Sequence, residues 1–487
     1  MAGSALSPAT THFIAGSHVP SRGKEEIPVF DPATGEIVSS FLGAEADDIN
    51  AAVAAAKESF DKRTWRDLPP AERASRLWAF GDLILSHIDE LAELEVRDNG
   101  MVMAMARGTV TSCAQSLRYY AGMVQKIHGE ATDLSGGGRT LMSYTSREPV
   151  GVVGAITPWN APLAVLVNKI APALAAGCSV VGKPAEQTPL SAIRLSQLIA
   201  QAGLFPEGVV NILNGHGHIA GAALADHPDV DKITFTGSTE VGKKLVQASA
   251  GNLKRVTLEL GGKSPLFIFD DAPLEQAIQG AAMAIFANSG QVCFAGSRLY
   301  VQRGIYDAVI EGVAKVGDAM RLGSGLDPQT QLGPLVSQEQ LDRVLGYIEY
   351  GVSDGAELIS GGMREGERGY FIRPAVFANR DRRKIRIAEE EIFGPVVTAM
   401  PFDGLDELEA LANDTTYGLG SGVFTSSNST AHKAARLIRA GNVWINCYGV
   451  LDKAVPFGGF RQSGWGREAG FEGIAPFLET KAVYNML

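Results

Sequence analysis

Cys293 stands in Gln291-Val292-Cys293-Phe294-Ala295-Gly296-Ser297-Arg298 and is the cysteine of this sequence whose surroundings invite chemistry. A thiolate attacks carbonyl carbon well and later departs readily from a thioester. A free thiol titrates near pH ~8.5, so a nearby base or polar field has to activate it. Cys178 and Cys447 lie in apolar stretches and read as small core residues. With Cys113 and Cys293 they make four cysteines at least 65 positions apart, which fits neither a disulfide framework nor a zinc cluster. The eight histidines form no spaced pair with a carboxylate, so no metal site is expected.

Two glycine motifs bear on phosphate binding. Gly215-His216-Gly217-His218-Ile219-Ala220-Gly221 follows an expected strand and opens a helix, but its last glycine comes one position late for the dinucleotide fingerprint. It reads equally as a phosphate cradle or a plain left-handed turn. Gly237-Ser238-Thr239-Glu240-Val241-Gly242-Lys243 resembles a triphosphatase phosphate loop, yet Lys244 occupies the place of the magnesium-binding hydroxyl. That argues against a nucleoside triphosphatase, while a helix N-terminus facing a phosphate stays physically sensible.

The elements that must hold these groups alternate. Ala51 to Phe60 and a run from Pro70 through Leu77, Phe80, Ile84, Ile88 and Leu91 have helical spacing. Strands are predicted at 150–156, 179–182, 209–213, 232–236 and 256–260, with helices between them at 162–176, 190–203, 218–225 and 239–250. Such alternation predicts a doubly wound α/β domain with a parallel sheet, whose commonest ligand is a nucleotide. A second α/β series starts near Pro265, with strands at 266–269, 299–301, 397–401, 422–424 and 443–446.

At 487 residues, 45% hydrophobic and 20% charged, the chain exceeds one ordinary core and predicts two or more domains. Its net charge of −11 makes nucleic acid a poor partner. Met1 to Thr11 lacks the pattern of a secretory signal. The longest apolar region, 150–182, is interrupted by Pro158, Asn160, Pro162, Asn168, Lys169 and Pro172, unlike a membrane span. A soluble, cytoplasmic protein is expected.

The segment around Cys293 resembles the nucleophile segment of the aldehyde dehydrogenase superfamily, and it lies 34 positions after Leu258-Glu259-Leu260-Gly261-Gly262-Lys263-Ser264-Pro265. Further similar motifs follow family order: Thr157-Pro158-Trp159-Asn160, Gly182-Lys183-Pro184-Ala185-Glu186, Phe235-Thr236-Gly237-Ser238-Thr239, Glu390-Glu391-Ile392-Phe393-Gly394-Pro395 and Pro456-Phe457-Gly458-Gly459. The resemblance covers nearly the whole chain. It implies a dinucleotide-binding domain from 1–126 and 150–261, a catalytic domain at 262–461, and a small β oligomerisation element from 127–149 and 462–487. That element would join a strand near 141–147 to the C-terminal tail, in a homodimer or homotetramer.

The resemblance also implies roles. Cys293 would be the nucleophile, Glu259 the base that activates water, and Asn160 with the Cys293 backbone amide the oxyanion donors, with Lys169 in the same catalytic set. Read alone, Glu259 would be an exposed strand-end carboxylate. NAD, with NADP less favoured, would lie along Ile156, Thr157, Pro158 and Trp159, with Lys183 and Glu186 on the adenine ribose. Gly217, Phe235, Gly237, Ser238 and Val241 would follow the same path, Ser238 near the pyrophosphate, with Leu260, Gly261 and Phe393 toward the nicotinamide and Glu391 on its ribose. The substrate pocket would use Ala161, Val165, Asn168, Val292, Phe294, Leu451 and Phe457. Ala161, Asn168 and Leu451 replace aromatics found in relatives, so a bulky apolar, aromatic or terpenoid aldehyde is expected. Hydrolysis to the free acid is preferred to acyl transfer, because the carboxylate at 259 is present. The rival from another class, an inactive family member with a structural or binding role, is opposed by intact Cys293, Glu259 and Asn160. Gly182 departs from the larger apolar residue usual in relatives.

Overall fold

The computed structural model describes residues 12–136 and 139–486. Met1 to Thr11, the segment read for a secretory signal, lies outside the described residues.

Five parallel strands form the centre of an eight-stranded sheet: Arg255–Glu259, Lys232–Thr236, Val152–Ile156, Ser179–Lys183 and Val210–Ile212, in that spatial order. The chain fills one side of Val152–Ile156 and then crosses to the other. The sheet therefore reverses between Val152–Ile156 and Lys232–Thr236, where strand C-terminal ends open a crevice for a ligand. Val152–Ile156 and Ser179–Lys183 are buried throughout, as covering helices on both faces require. On one face Val153 and Ala155 pack with Leu77, Phe80, Leu117 and Leu166. On the other, Val152 and Ile156 pack with Ile49, Val53 and Leu224. Beside Gly182 the space is taken by Leu166, whose Cδ1 would lie 3.1 Å from an added Cβ.

The second sheet has seven strands, in the order Glu357–Ser360, Ala375–Ala378, Val396–Phe402, Arg298–Gln302, Pro265–Ile268, Gly420–Phe424 and Asn442–Ile445. Glu357–Ser360 pairs antiparallel and the rest pair in parallel. Five of these strands were predicted. Glu357–Ser360 and Ala375–Ala378 were not, since each has four residues and neither forms an extended apolar run. A third sheet joins Ala131–Gly136, Arg139–Pro149 and Leu478–Met486, all antiparallel.

Two expectations need correction. The run from Pro70 is two helices, Pro70–Ser86 and Ile88–Asn99, because His87 leaves helical geometry at φ −118° and ψ 24° and its Nδ1 lies 3.0 Å from the Leu83 carbonyl oxygen. The helix placed at 218–225 begins instead as a wide turn at Gly217–Gly221, followed by Ala222–Asp226. Gly464–Trp465 pairs antiparallel with Arg255–Glu259 and extends the first sheet.

Candidate active site

Strand ends bring the chemistry together. Glu259 closes Arg255–Glu259, and the chain then passes through Leu260, Gly261 and Gly262 into the second sheet at Pro265. Both glycines sit where a side chain would collide: a Cβ on Gly261 would lie 2.0 Å from Glu391 Oε2, and one on Gly262 would lie 2.5 Å from the Cys293 carbonyl oxygen. This close approach carries Glu259 past the nucleophile segment.

Cys293 follows a tight left-handed turn in which Asn288, Ser289 and Gly290 have φ of 48°, 55° and 72°. The Asn160 side-chain amide donates to the Gln291 carbonyl at 2.8 Å, and Asn288 donates to the Asn160 carbonyl at 3.1 Å. Gln291 is anchored in turn, its Oε1 accepting the Val336 N–H at 2.9 Å. Asn160 is thus fixed two residues from the thiol, with a second amide hydrogen still to give. Burial pushes the Cys293 thiol upward, and the carboxylates of Glu259 and Glu391 push it the same way.

Glu259 is not the exposed carboxylate its strand-end position suggests. It is buried, and neither carboxylate oxygen has a hydrogen-bond partner among the described residues. Burial raises its titration far above the ordinary range, as does Glu468, while Lys169 and Arg467 oppose the shift. A Cβ on Gly458 would lie 2.7 Å from Glu259 Oε1, so that glycine leaves room for the carboxylate. Lys169 is fully buried and pairs with Glu468 at 2.5 Å, with Thr234 Oγ1 a further acceptor at 3.3 Å. Glu468 was not foreseen, since its partner lies 299 positions away and no motif marks it.

The groups expected to hold the cofactor line the crevice at the strand ends. Lys183 ends its strand and pairs with Glu186 at 3.1 Å, and Glu186 also accepts the Gly217 N–H at 3.3 Å. Burial lowers Lys183, opposed by Glu186. For Glu186 burial acts upward, but Lys183 and backbone donors outweigh it and hold the carboxyl below its usual range. Ser238 caps the helix Thr239–Ser249 by accepting the Val241 N–H at 3.2 Å, with Val241 itself exposed beside Gly237. Ile156 and Phe235, on adjacent parallel strands, are buried, as is Leu260. Thr157, Pro158 and Trp159 leave the strand end toward Asn160, and Trp159 meets Phe393 edge to face at 5.2 Å between ring centres. Glu391 accepts the Gly262 N–H at 3.0 Å, and burial pushes its carboxyl up to about 7.

The expected substrate wall is mixed. Phe294 lies 5.8 Å from Phe457 and 5.4 Å from Trp444, centre to centre, and Tyr448 donates to the Phe294 carbonyl. Helix Pro162–Ala176 is buried except at Ala164, Val165 and Asn168, which share a face with the partly exposed Ala161 before it. Val292 is partly exposed beside the thiol, whereas Leu451 stands more than half exposed. Asn168 accepts a hydrogen bond from Lys453 at 3.2 Å, a polar contact where an apolar wall was expected. Cys113 and Cys178 are buried, while Cys447 is only partly so. Among the described residues no group of three or more His, Cys, Asp or Glu is placed to hold a metal, and no helix is long and apolar enough to cross a membrane.

Comparison with known proteins places this arrangement. The model of the aldehyde dehydrogenase family matches residues 18–483. An aldehyde dehydrogenase of Enchytraeus buchholzi is 47% identical over 478 residues, covering 98% of this chain and 95% of its own. Phenylacetaldehyde dehydrogenase of Pseudomonas fluorescens is 44% identical over 476 residues, covering 96% and 94%. The structure of Bacillus cereus aldehyde dehydrogenase in complex with NAD+ superposes with a TM-score of 0.95 at 44% identity, covering 98% and 96%. The chain belongs to the aldehyde dehydrogenase family and is an enzyme of aldehyde oxidation.

Proposed function

We propose that the enzyme oxidises a bulky, ring-bearing aldehyde to its carboxylic acid through a thiohemiacetal and then a thioester on Cys293. The cofactor is NAD, which when bound accepts the hydride that leaves the substrate carbon. The residues fit it: Lys183 and Glu186 form a paired, hydrogen-bonded cradle at the end of a strand neighbouring the sheet's reversal, and Ser238 opens a helix N-terminus suited to phosphate. Glu186 accepts from ribose hydroxyls but repels an added 2′-phosphate, which favours NAD over NADP.

The observation that carries the reading is Glu259, a buried carboxylate with no hydrogen-bond partner among the described residues and close enough to raise the Cys293 thiol. A buried polar group left unsatisfied costs about 1–3 kcal/mol, more when charged, so its retention calls for a function. Sulfur bonds to the carbonyl carbon as the thiol proton passes to a water molecule and out to solvent. The oxygen becomes an alkoxide held by the Asn160 amide and the Cys293 N–H. After oxidation, water attacks the thioester, its proton passes to Glu259, and the cysteine sulfur departs. A carboxylate of raised basicity suits that task once ionised.

The test separates the two halves. Cys293→Ala abolishes turnover, whereas Glu259→Gln keeps a burst of NADH and slows steady-state turnover roughly a hundredfold or more. A Glu259→Gln deacylation rate equal to wild type removes the base. For the substrate, Ala161→Phe depresses kcat/KM for benzaldehydes more than for propanal, and equal losses refute the ring-bearing reading. The division into 1–126 with 150–261, 262–461, and 127–149 with 462–487, and assembly into a dimer or tetramer, are further proposals that limited proteolysis and light scattering address.

A further inference from the structure

We propose that Lys453 and Asn168 form a recognition site for a carboxylate carried at the far end of the aldehyde. The inference deepens the substrate reading above and rests on the assignment of the Ala161–Asn168 face to the substrate path.

Lys453 is half-buried, and its ammonium makes one hydrogen bond, to Asn168 Oδ1 at 3.2 Å. No carboxylate among the described residues lies within ion-pair distance of it. The acidic groups that face it are occupied or turned away: Glu468 is held by Lys169 at 2.5 Å, and Asp452 accepts the Ala454 N–H at 2.8 Å. The remaining neighbour is the buried thiol of Cys113. A half-buried ammonium with one neutral acceptor and no ion-pair partner keeps charge and donors to offer a ligand, since an amide oxygen satisfies one of three donors. Burial lowers its proton affinity.

The position of this group decides what completes it. Asn168 stands on the one accessible stripe of helix Pro162–Ala176, the stripe that begins at Ala161 next to Asn160. From Ala161 to Asn168 the helix rises about 10 Å. A benzene ring with a para substituent, plus a charge-assisted hydrogen bond of about 2.8 Å, matches that reach. The aromatic wall of Phe294 and Phe457 would hold the ring, and Lys453 would hold the carboxylate. The pocket would thus be apolar along its length and cationic at its end.

The test compares 4-carboxybenzaldehyde with 4-methylbenzaldehyde, and 6-oxohexanoate with hexanal, in the full-length enzyme with NAD. Wild type is expected to favour at least one carboxylated aldehyde over its neutral partner by about tenfold or more in kcat/KM. Lys453→Met should collapse that ratio mainly through KM, and Lys453→Arg should restore much of it. Preference confined to the aliphatic pair keeps the carboxylate site and removes the ring-bearing reading. Neutral partners favoured in both pairs, or a ratio unmoved by Lys453→Met, overturns the proposal. If Lys453→Met does not fold, the wild-type ratios and Lys453→Gln decide.

Discussion

Two carboxylates of the expected cofactor path are tuned in opposite directions by what touches them. Glu186 is held low by Lys183 and backbone donors despite its burial, which suits the acceptor role proposed for it toward the ribose. Glu391 is pushed up to about 7 by burial, against the opposing Gly262 N–H and Lys263. Its carboxyl is protonated below that value and ionised above it, and the ionised form is the better acceptor for ribose hydroxyls. The KM for NAD should therefore fall as pH rises from about 6 to about 8, and Glu391→Gln should flatten that change. A wild-type KM that rises over the same window contradicts the assignment. Much of this was legible as residue type in the motifs. What could not be read was environment: Glu259 looked like an exposed strand end, and Lys453 had no signal because Asn168 lies 285 positions away.

The elements were readable where both faces of a strand are covered, because burial leaves a continuous apolar run such as Val152–Ile156. Reading failed where the determinant is contact rather than composition. The exposed edge strand Glu357–Ser360 has too little apolar character to announce itself, and the break at His87 lies inside an unbroken helical period. The Gly261-Gly262 crossing is the element on which geometry depends most. A Cβ at Gly261 would meet Glu391 Oε2 at 2.0 Å and force that carboxylate off the Gly262 N–H. Gly261→Ala should raise the KM for NAD by about tenfold or more, the worth of one charge-assisted hydrogen bond, with little change in secondary structure by circular dichroism. An unchanged KM would show that Glu391 does not hold the ribose.

At the scale of the molecule, the last quarter of the chain binds the two large sheets together. Lys169 in the first packing layer pairs with Glu468, so Glu468→Gln removes the counter-charge of a buried ammonium and leaves it neutral acceptors alone. The loss should be about 3 kcal/mol in chemical denaturation, and Lys169→Met with Glu468→Leu should recover most of it. A Glu468→Gln protein as stable as wild type would mean that the pair is already open to water. Ser463 ties the same region down: its hydroxyl donates to the Gly261 carbonyl at 2.7 Å and accepts the Gly418 N–H at 3.0 Å, while its carbonyl accepts the Leu260 N–H at 3.0 Å. Gly464–Trp465 then zips onto the strand that ends in Glu259. A growing chain consequently makes its thiol 170 residues before the lock beside the base, since Cys293 precedes Ser463 by that much in the order of synthesis. Until Ser463 and Gly464–Trp465 have been made, the strand that ends in Glu259 lacks its antiparallel neighbour and the Gly261 carbonyl lacks its donor.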